Sequence, residues 1–259
     1  MLSNNKIRYT ILFLIAFTAI VSVFVSGPIY QDQQYHLFAD EREILCIPNF
    51  LNVISNIPLL IIGVLGMFFI IQNNKENNVK LWMNSLVFFI GIFFTGAGSM
   101  YYHLHPGDQT LLWDRLPMTI SFMAFFSVVI SKFICARSGA RILIPLLIIG
   151  FISIVYWQMT ERRGEGDLRF YALVQFLPLL LISVILLVFK ANNSLKKYFW
   201  IILFTYALAK IFEMCDLLIF DITQCISGHS IKHILAAMGP AIYLLALNKK
   251  SPLLKNYLR

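Results

Sequence analysis

The residues able to do chemistry fall into three short groups. His229 and His233 stand at i and i+4, a spacing that puts two imidazoles on one helical face and offers two nitrogen ligands to one metal ion. Ser99 and His103 repeat that spacing, and Asp114 follows after a turn marked by Pro106 and Gly107. Three histidines from two helices, meeting at one level, would leave a fourth position on zinc for water, the catalytic form of such a site. A carboxylate could move the water's proton, and a serine hydroxyl could support developing oxyanion charge. That is the chemistry of a hydrolase acting on a carbonyl compound. Each group has a plainer reading as well: HxxxH can face lipid headgroups, and Asp114 can serve as a structural partner of Arg115 or Lys232.

The elements that must position these residues are membrane-spanning helices. The 259 residues are 59% hydrophobic and only 13% charged, against about 25% charged in an ordinary soluble domain. Apolar stretches near 9–26, 49–71, 81–103, 110–134, 139–158, 168–190, 197–220 and 229–248 predict eight spans of roughly 20 residues each, joined by short polar connectors. With the N-terminus in the cytoplasm, 14 of the 21 Lys and Arg fall on the cytoplasmic side, and of the 13 acids only Glu76 does. The positive-inside rule therefore predicts both termini in the cytoplasm and the histidines toward the outer face. Lys6 and Arg8 before the first span resemble a signal-peptide start, but Val25-Ser26-Gly27-Pro28 is a poor cleavage region, so a retained anchor is expected. The net charge of +8 is read as orientation rather than nucleic-acid binding. No CxxC pair, phosphate-binding glycine loop or nucleophile elbow occurs.

Gly96-Ala97-Gly98-Ser99-Met100-Tyr101-Tyr102-His103, Asp114 with Pro117-Met118 beyond it, and His229-Ser230-Ile231-Lys232-His233 together resemble the alkaline ceramidase family. That family belongs to a superfamily of seven-span hydrolases and receptors, and the stretch Asn49 to Asn56 resembles its first core span. The resemblance implies an all-α integral membrane protein: a seven-helix core with one added N-terminal span. The domains expected are an anchor and linker over 1–39, a catalytic domain over 40–248 and a basic cytoplasmic tail over 249–259. It implies zinc on His103, His229 and His233, catalytic Asp114 and Ser99, and cleavage of the amide of ceramide or another N-acyl lipid. The family's eukaryotic members also bind calcium at an acidic N-terminal segment. Here that loop reads Asp40-Glu41-Arg42-Glu43 and the acid of the first core helix is Asn49, which counts against calcium. The form resembles a compact bacterial branch, which implies the inner membrane. Two rivals stay open: a metal-containing receptor or sensor, and a phospholipid esterase.

Other polar residues receive plainer expectations. Lys210 and Glu213, at i and i+3, are expected to pair and lock helix packing. Glu161 to Asp167 is expected to be a solvated loop. His105 and His36 are left unassigned.

Overall fold

The computed structural model describes residues 2–73, 79–189 and 193–248. The expected basic tail lies outside them, as do Lys75, Glu76 and Lys190 of the orientation count. Among the described residues the chain is helical: α1 Leu2–Val25, α2 Phe50–Ile54, α3 Ile57–Gln72, α4 Val79–Leu104, α5 Asp108–Phe133, α6 Ala136–Glu161, α7 Arg169–Val188, α8 Asn193–Met214, α9 Asp216–Thr223 and α10 Gly228–Asn248. A short 3-10 turn covers Gln33–His36. Among the described residues seven spans are long and apolar enough to cross a membrane, and the protein is a multi-pass membrane helical bundle.

Two expected spans differ in detail. The one near 49–71 is broken at Ser55 and Asn56 into α2 and α3, because Pro58 has no N–H for the carbonyl one turn back. The one near 197–220 ends at Met214 and resumes after Cys215 as α9. At 22 residues α8 has the length of a span, but Lys196, Lys197, Lys210 and Glu213 keep it out of the apolar set.

The chain divides into two compact units. One contains residues 1–32, 79–88 and 119–191, hence α1, α6, α7 and parts of α4 and α5. In it α1 packs on α7, and Met123, Leu146 and Val174 form a buried apolar cluster. Its polar anchor is Asp167. That carboxylate takes the Arg169 guanidinium (2.8 Å), the Arg169 backbone N–H (3.0 Å) and the Tyr156 hydroxyl (2.7 Å). The expected solvated loop thus ends in a buried ion pair.

The other unit contains residues 33–78, 89–118 and 192–259. Here α10 packs most extensively on α8 and also meets α3, α9 and α2. Small residues set the helix spacing. A Cβ on Gly63 would lie 2.7 Å from that of Phe93, and one on Gly98 would clash with the Trp113 carbonyl, so α4 approaches α3 and α5 as closely as backbones allow. Every candidate site residue belongs to this unit.

Candidate metal centre

His103 arrives from the last turn of α4, and His229 and His233 from the first two turns of α10. Both helix ends are held by side chains. At the start of α10, Ser227 Oγ accepts the Ser230 N–H (3.2 Å) and Asp216 Oδ1 accepts the His229 N–H (2.7 Å), filling needs that a helix cannot meet internally. At the end of α4, Asn49 Nδ2 donates to the His103 carbonyl (2.9 Å). Asn49 reaches it from a left-handed backbone conformation (φ 49°), which Asn adopts more readily than most residues. An ionised carboxylate at that position could not donate this bond, a local reason for Asn49 in place of an acid.

The three imidazoles converge. One nitrogen from each lies within 4.8 Å of the others, and the ring centroids form a nearly equilateral triangle with sides of 4.9, 4.9 and 5.0 Å. His103 is 0%, His229 5% and His233 4% exposed. His103 Nε2 and His233 Nε2 are 3.3 Å apart, and tetrahedral zinc with Zn–N near 2.05 Å separates its ligands by about 3.3 Å. His229 Nε2 is buried with no hydrogen-bond partner. Buried polar atoms ordinarily have one, so this donor set fits a resident cation.

Behind the rings stands a polar layer. His233 Nδ1 is 2.8 Å from the Ser55 hydroxyl, and the Asn52 backbone carbonyl is a further partner. Asn56 Nδ2 lies 3.2 Å from the same nitrogen while donating to the Asn52 carbonyl at 2.8 Å. Engaging Nδ1 leaves Nε2 for a ligand bond. Asn52 itself accepts Ser230 Oγ–H at 2.7 Å and donates to the Asp40 carbonyl at 3.2 Å. The break between α2 and α3 thus turns three polar side chains toward α10.

Ser99 and Asp114, both buried, are also brought together, the Ser99 hydroxyl beside the Asp114 carboxylate. Gly98 permits this, since its missing side chain lets α4 lie against the backbone of Trp113, next to Asp114. Lys210 pairs with Glu213 as expected. Lys232 also pairs with Glu213, at 2.7 Å.

The chain from 33 to 48 forms a strap against this end of the unit, and sequence reasoning did not find it. Phe38, 6% exposed, sets its ring 4.6 Å from that of His103 and 4.8 Å from that of His229. His36, unassigned before, bonds the Tyr102 hydroxyl (2.9 Å) and Asp108 (3.1 Å). The Ala39 N–H donates to Asp216 (3.0 Å). Arg42 spans both Asp40 oxygens (2.7 and 2.8 Å) and donates to the Cys225 carbonyl (2.6 Å). His105 is exposed, past the end of α4, outside the histidine cluster. One signal could have revealed the layer behind the three histidines: Asn52, Ser55 and Asn56, at i, i+3 and i+4, put a polar face inside an apolar span.

Fold and site together define a class, that of multi-pass membrane proteins with a buried three-histidine centre. Residues 44–253 match the ceramidase family, described simply as Ceramidase. The chain therefore belongs to the ceramidase family, and is a hydrolase acting on an amide C–N bond. No curated protein matches the chain.

Proposed function

We propose that the protein is a zinc-dependent amidase of the membrane, cleaving ceramide or a related N-acyl lipid to a fatty acid and an amine. The buried three-histidine cluster, with His229 Nε2 unpartnered, is the observation that carries this reading. His103, His229 and His233 would hold the ion. Bound zinc supplies Lewis acidity for the amide carbonyl and lowers the pKa of a coordinated water to about 7. Asp114 takes a proton from the attacking water and returns it to the leaving amine. Ser99, beside Asp114, orients that carboxylate and can turn its hydroxyl toward oxyanion charge. The strap and Phe38 exclude bulk water, which strengthens each of these interactions. The positive-inside count favours termini in the cytoplasm and a site toward the outer face of a bacterial inner membrane. The same reading makes residues 40–248 the catalytic domain and the first helix an added anchor. Arg42 already occupies the Asp40 carboxylate, so calcium is not part of the proposal.

Elemental analysis of detergent-purified protein tests it. Wild type should carry about one zinc per chain and the double variant His229→Ala, His233→Ala none, following the ligand count of a catalytic site. Asp114→Asn should keep the metal and lose amide hydrolysis. Normal turnover by Asp114→Asn, or a wild type that takes up no metal when zinc is supplied, would sink the mechanism.

A further inference from the structure

Glu213, near the C-terminal end of α8, pairs with Lys232 on the helix that carries His229 and His233. The other end of α8 has a surface of a different kind. Lys196, Lys197, Trp200, Ile201 and Phe204 line an open cleft of about 550 Å³, within the range of roughly 300–1,000 Å³ typical of small-molecule sites. Helix geometry explains the grouping. Lys196, Trp200 and Phe204 recur at i, i+4 and i+8, and Lys197 and Ile201 at i and i+4, so all five side chains lie on one face. Roughly 25 Å of helix separates Lys196 from Glu213, so the cleft is no part of the metal centre.

The cleft is graded along the helix axis. Lys197, at its mouth, is exposed, and α8 contains no acidic residue before Glu213. Among the described residues no carboxylate lies within ion-pair distance of Lys197. Lys196 has interactions of its own within the protein and brings a second ammonium, a group with three N–H donors, to the same rim. One turn further on, Trp200 is 38% exposed, and beyond it Ile201 (37%) and Phe204 (65%) present bare hydrocarbon. In a membrane helical bundle this order has a meaning. Trp collects at the membrane–water boundary, lysine reaches from there into the head-group layer, and exposed Ile and Phe face acyl chains. A ligand that matches the whole cleft carries an anion for the lysines, an acceptor for the Trp200 indole N–H and a hydrocarbon chain for Ile201 and Phe204. A phospholipid of net negative charge joins all three in that order, as phosphate, ester carbonyls and acyl chains. A fatty acid lacks the ester carbonyls, a soluble phosphate lacks the chain, and the ammonium of a zwitterionic lipid opposes the lysines.

We propose that this cleft binds an anionic phospholipid, its phosphate on Lys197 and Lys196, its ester level at Trp200 and an acyl chain along Ile201 and Phe204. The lipid held there is a resident of the bilayer and not the substrate, since the cleft and the metal centre lie toward opposite ends of α8.

The test measures equilibrium binding of dioleoylphosphatidylglycerol, dioleoylphosphatidylcholine and oleate to the full chain in neutral detergent. Wild type should bind the phosphatidylglycerol roughly tenfold tighter than the phosphatidylcholine, the scale of two basic residues meeting an anionic head group after screening. In the double variant Lys196→Gln, Lys197→Gln the advantage should fall to about twofold or less, and in Lys196→Arg, Lys197→Arg it should be kept, since both keep the charge. The control is Arg137→Gln, Arg141→Gln, which removes two exposed charges from α6 and should leave the advantage intact. Equal binding of the two phospholipids by wild type would overturn the proposal without recourse to any variant. Oleate bound as tightly as the phosphatidylglycerol would refute the phospholipid as occupant. An equal loss in the α6 control would refute the cleft in favour of attraction by overall charge. An undiminished advantage in the Gln pair would refute the lysines as the head-group contact. Neither zinc content nor amide hydrolysis enters the measurement, so its outcome is independent of the amidase reading.

Discussion

Asp167 and the histidine cluster are both buried polar centres in an apolar helical protein, and they are finished differently. At Asp167 every need is met: the carboxylate takes the Arg169 guanidinium and backbone N–H together with the Tyr156 hydroxyl, and the Thr160 hydroxyl accepts the Asp167 N–H (3.0 Å). Arg169 goes on to the Phe24 carbonyl (3.2 Å), so this knot ties α7 to α1. The histidine cluster has an equally elaborate outer layer in Ser55, Asn52, Asn49 and Asp216, yet the ring nitrogen His229 Nε2 lacks a partner. A satisfied network stabilises and fixes structure, whereas a buried imidazole nitrogen left without a partner among other imidazoles is where a ligand fits.

That contrast can be broken by substitution. Asp167→Asn should have the larger effect on the fold. It leaves Arg169 facing a neutral amide and should cost about 2–4 kcal/mol of stability in detergent, with zinc content unchanged. If it strips the metal, the two centres are not separable as described. Ser55→Ala should do the reverse. Removing the hydroxyl on His233 Nδ1 should weaken zinc binding by about 10- to 100-fold and move the melting temperature of metal-free protein little. Unaltered zinc affinity would mean that Ser55 fills space rather than orienting the ring.

A smaller effect should follow pH. Burial acts to raise the Asp167 carboxyl, but Arg169 and the Tyr156 hydroxyl outweigh it and hold the group down from 3.8 to about 2. The unfolded chain therefore binds the proton more readily. The stabilisation from Asp167 is fully present above about pH 4 and is lost as pH falls through about 2. Melting curves of wild type and Asp167→Asn should converge as pH is lowered across that window. A constant gap would show that the carboxylate's charge is not what stabilises the knot.

Much of this was legible in sequence because the informative signals are local. The spacing of His229 and His233, and of Ser99 and His103, follows from helix geometry, and the long apolar runs announced the spans. Lys210 and Glu213 could be paired for the same reason. The second partner of Glu213 could not, since Lys232 is on another helix and no local period connects them. The strap was also opaque. Its backbone is irregular, so neither a 3.6- nor a 2-residue period says that Phe38 packs on two histidine rings or that His36 reaches Asp108. The break at Ser55 and Asn56 lay between the two cases: Pro58 hinted at it, but hydropathy over 49–71 reads as one continuous span.

The two oxygens of Asp216 hold different parts of the chain, one the backbone of Ala39 and the other the backbone of His229. The strap and the helix turn that carries His229 therefore share a single anchor: Ala39, one residue past Phe38, and the first turn of α10 are tied to the same carboxylate.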